Sequence, residues 1–61
     1  MSAMWWKVKP PIIDSEFLVL VIEGRVVTST RRQWFFAVGD KWDSVRQMLE
    51  KAGFTCVMVP S

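Results

Sequence analysis

Asp40-Lys-Trp-Asp-Ser-Val-Arg-Gln-Met-Leu-Glu-Lys-Ala-Gly53 is the most regular stretch of this 61-residue chain. Trp42, Val45, Met48, Leu49 and Ala52 recur at helical spacing and wind into one apolar stripe. Lys41, Ser44, Arg46, Gln47, Glu50 and Lys51 take the opposite side. The spacing predicts a helix over residues 40–52 with one buried face. Asp40 is placed to cap its first turn, and Asp43, three residues on, supplies the acidic half of a capping box. Both carboxylates sit at the positive end of the helix dipole, and Lys51 sits at the negative end. Gly53 provides the left-handed residue that stops the helix.

Working outward, Thr55-Cys-Val-Met-Val59 reads as a strand closed by Pro60, and the short exit from the helix returns it to a sheet. Upstream, residues 16–23 are rich in β-branched and aliphatic side chains and apolar on both faces, which suits a central strand. Gly24-Arg25 fits a type II′ turn, with glycine where positive φ is needed. Residues 26–30 return as the partner strand. Ser29-Thr30-Arg31-Arg32 is either a second turn or a bend within one long strand. Residues 34–38, Trp-Phe-Phe-Ala-Val, read as a further β segment ended by Gly39.

Near the start, Met4, Trp6 and Val8 alternate with Trp5, Lys7 and Lys9, the period of a half-buried strand. Pro10-Pro11 ends that segment, and Asp14-Ser15 is a turn. The expected fold is α+β: a small antiparallel sheet of three to five strands, packed on one face by a single helix in the C-terminal half. The element order is β-β-β-(β)-α-β within one domain spanning 1–61. Residues 1–13 form either a loose arm or an edge strand.

Composition sets the remaining bounds. A chain of this size buries only about 60% of the surface its unfolded form exposes. Hydrophobic residues make up 51%, with four Trp and four Phe, against a usual figure of roughly 45–50%. The single Cys56 allows no internal disulfide, and with no histidine present it suggests no zinc site. An unstapled small chain is expected in a reducing, cytoplasmic setting. Its longest apolar run, Phe17-Leu-Val-Leu-Val-Ile22, falls far short of the roughly 20 residues that span a bilayer. The first residues lack a basic segment followed by an apolar one, so no signal peptide is expected.

The side-chain inventory argues against catalysis. Histidine and tyrosine are absent, which removes the usual proton shuttle at neutral pH. Asp14 and Glu16 read as a solvated turn rather than an acid–base pair, and Asp40 and Asp43 as caps rather than metal ligands. Cys56, in an apolar strand past a helix C-terminus, reads as an inert buried thiol. Gly24 and Gly39 are isolated and build no phosphate-cradling loop. No catalytic, cofactor-binding, small-molecule or metal residues are expected.

Binding is therefore the expected function. One helix shields one face of a sheet, yet residues 17–22 and 34–38 are apolar on both faces. The uncovered remainder points to an accessory or regulatory module that binds a protein partner or itself, as a homodimer, through that face or an edge strand. Trp5, Trp6, Trp34 and Phe36 are the candidate anchors, tryptophan being enriched at interface hot spots. Because Trp5 and Trp6 are adjacent on a strand, one of them must leave the core face.

The alternative is a DNA- or RNA-binding surface of Lys7, Lys9, Arg25, Arg31, Arg32 and Trp34, in which cations hold phosphates and the ring stacks a base. Net charge is only +2, carried by residues 1–32 with five basic and three acidic groups. Nucleic-acid footprints are usually far more basic. Membrane attachment through the tryptophans beside Lys7 rests on one dipeptide and is disfavoured.

Overall fold

The computed structural model describes residues 2–12, 15–31 and 36–59. Strands β1 (Ala3–Lys9), β2 (Phe17–Ile22) and β3 (Arg25–Ser29) precede helix α1 (Trp42–Lys51) and strand β4 (Thr55–Val59). The four strands form one antiparallel sheet in the order β3-β2-β1-β4. One helix on one face makes this a small α+β fold of two layers.

Alternation along the strands decides what the helix covers. Phe17, Val19 and Val21 of β2, Val8 of β1 and Val26 of β3 are buried with Trp42, Val45 and Leu49 of α1. Trp6, Phe36, Phe54 and Cys56 pack against this cluster from its rim. The stripe expected on the helix is therefore its core face at Trp42, Val45 and Leu49, while Met48 stays 41% exposed.

The β2–β3 hairpin turns one residue earlier than expected. Ile22 pairs with Arg25, so the two-residue loop is Glu23-Gly24. Both loop residues have positive φ, 52° and 76°. That is the type I′ geometry, whose twist matches the flanking strands. A shift in register between Leu20 and Val21 leaves Val27 as the extra residue of a bulge in β3. Beyond β3 the chain bends at Thr30 and Arg31.

Three further expectations are corrected. Residues 3–9 are neither a loose arm nor an edge: β1 lies between β2 and β4 and pairs with both. Of the β segment expected at 34–38, Phe36 to Val38 are not in a strand, and the remainder lies outside the described residues. There the Ala37 N–H donates to Oδ2 of Asp40, 2.9 Å away. That contact takes the carboxylate expected to cap the helix. Lys41 stands at the N-cap position instead and makes no side-chain cap. Asp14 also lies outside the described residues.

The helix end follows the sequence closely. Gly53 has φ +94°. Its N–H donates to the Glu50 carbonyl and that of Phe54 to the Leu49 carbonyl, at 3.1 and 2.9 Å. This is the Schellman arrangement, with Phe54 supplying the apolar contact that usually accompanies it.

Candidate interaction surface

The sheet face away from α1 carries no covering element among the described residues. It presents Trp5, Lys7 and Lys9 from β1, Leu18, Leu20 and Ile22 from β2, and Val57 and Val59 from β4. Register places them in rows: Trp5 lies between Leu20 and Val59, and Lys7 between Leu18 and Val57. Trp5 is 39% and Val57 54% exposed, while Leu18, Leu20, Ile22 and Val59 are half-buried. A contiguous apolar strip thus crosses the sheet from β2 to β4, with two lysines along one side.

The two edges of the sheet differ. The outer side of β3 is occupied by residues 39–41. The Val26 N–H donates to the Asp40 carbonyl at 2.9 Å, and the Gly39 N–H to the Val26 carbonyl at 2.8 Å. Arg25 bridges to Lys41, and its Nη1 donates to the Gly39 carbonyl at 2.8 Å. Strand β4 pairs with β1 on one side, and no described residue pairs with its other side. Thr55–Val59 contains no charged residue and no proline, and its pairing with β1 has no register shift. It thus lacks the charge, proline and bulge that usually blunt an edge.

Of the candidate anchors among the described residues, Trp5 alone is on the open face. Trp6 points to the helix side, against the core and Trp42. Phe36 is half-buried on the same cluster. Both sit at the rim of the core rather than on the open face, and Trp34 lies outside the described residues.

The described members of the candidate nucleic-acid set do not converge. Lys7 and Lys9 follow Trp5 along β1 on the open face, and Arg25 is engaged with Gly39 at the far corner. Arg31 lies over the ring of Phe17, 5.5 Å from its centroid, at the end of the buried row. Arg32 lies outside the described residues.

Cys56 is half-buried on the helix side of β4. Burial, and secondarily the charge of Glu50, push its thiol above the ordinary value, with Arg46 pulling the other way. A raised pKa leaves less thiolate at neutral pH and makes a poorer nucleophile. Among the described residues no group of three or more potential ligands could hold a metal ion, and no helix is long and apolar enough to cross a membrane.

The residues that sequence reasoning left out of the site are Leu18, Leu20, Ile22, Val57 and Val59. The two-sided apolarity of residues 17–22 signalled the first three. For β4 the signal was a strand without charge, but its edge position depends on strand order.

No family model, curated protein or solved structure matches this chain.

Proposed function

We propose that this chain is a small non-enzymatic interaction module, accessory or regulatory in role, that binds protein through the open sheet face and the adjoining β4 edge. The observation that carries this reading is the apolar strip of Trp5, Leu18, Leu20, Ile22, Val57 and Val59, which runs to an edge lacking a partner among the described residues. An extended partner added at β4 would take up backbone hydrogen bonds and lay its side chains against Val57 and Val59. Trp5 would then act as the central anchor. Its setting is the reducing interior of a cell, a proposal that rests on the lone thiol.

The test is affinity capture from the native cell with nuclease-treated and untreated extracts, using the wild type and a Trp5→Ser/Val57→Ser variant. Both positions are substantially exposed, so the variant is expected to fold. The reading requires a bound protein that survives nuclease and is lost with the variant. Capture that disappears on nuclease treatment would favour the row of Trp5, Lys7 and Lys9 as a single-strand-binding surface. Capture that the variant leaves unchanged would place the contact elsewhere.

A further inference from the structure

We draw no further inference here: the strongest candidate, the open sheet face with the adjoining β4 edge, belongs to the surface already described, and nothing in the structure shows what covers it.

Discussion

The indole rings of Trp6 and Trp42 lie with centroids 5.3 Å apart and planes tilted by 47°, joining the central strand β1 to the helix. Trp42 is 3% exposed. The Arg46 guanidinium lies over Trp6, 5.3 Å from its ring centroid. A tilted aromatic pair contributes roughly 0.5–1.5 kcal/mol beyond the area it buries. Neither indole nitrogen finds an acceptor among the described residues.

That contact makes Trp42 the most sensitive position. Trp42→Ala should cost about 3–5 kcal/mol, comparable with the whole stability of a 61-residue chain at about 0.05–0.15 kcal/mol per residue. Trp42→Phe keeps the aromatic body and removes an N–H that lacks a described acceptor, so it should cost less than half as much. Urea denaturation followed by circular dichroism checks both values.

Gly53 and Gly24 both have positive φ but differ in surroundings. A Cβ at Gly53 would come within 3.0 Å of Cβ of Pro11, whereas one at Gly24 meets nothing within 4 Å. Gly24→Ala should therefore show the backbone cost alone, about 1 kcal/mol. Gly53→Ala adds the collision with Pro11 and should lower the urea midpoint visibly further. Equal losses would mean that the helix exit and Pro11 are not in contact in solution.

Glu23 holds φ at 52° in the type I′ turn, a region asparagine tolerates better than glutamate. Glu23→Asn creates the preferred Asn-Gly turn. An increase of about 0.5–1 kcal/mol in unfolding free energy is expected, read from the same denaturation curves.

Cys56 links pH to stability. Its folded-state pKa lies above the unfolded value, so the native state holds the proton more tightly. The resulting stabilisation is fully present below the unfolded thiol pKa and is lost as pH rises through the folded one. Cys56→Ala should therefore show a flatter alkaline limb in stability against pH. Glu50→Gln removes a charge that raises the pKa and should speed alkylation of Cys56 at mildly alkaline pH, measured by mass spectrometry against the wild type.

Local patterns were legible wherever chain geometry alone sets them. The stripe at Trp42, Val45 and Leu49 follows from the helical period, and the stop at Gly53 from its freedom at positive φ. Strand β4 was readable to the residue because Gly53 and Pro60 bracket it. Small local competition shifted other boundaries. Asp40 spends its carboxylate on Ala37 rather than on the helix, and the hairpin turns at Glu23-Gly24 because Ile22 pairs with Arg25.

By itself the sequence determined that the chain pairs one amphipathic helix with strands too apolar for that helix to cover, because side-chain period depends only on neighbours along the chain. It required that Trp5 and Trp6 point opposite ways without deciding which of them leaves the core. Tertiary structure made that choice by setting β1 between β2 and β4, so that Trp6 meets Trp42 and Trp5 joins Leu20 and Val59. It also left β4 without a second pairing partner among the described residues while residues 39–41 cap β3. Backbone hydrogen bonds are alike from one strand to the next, so strand order is decided by how the side chains of distant segments pack together.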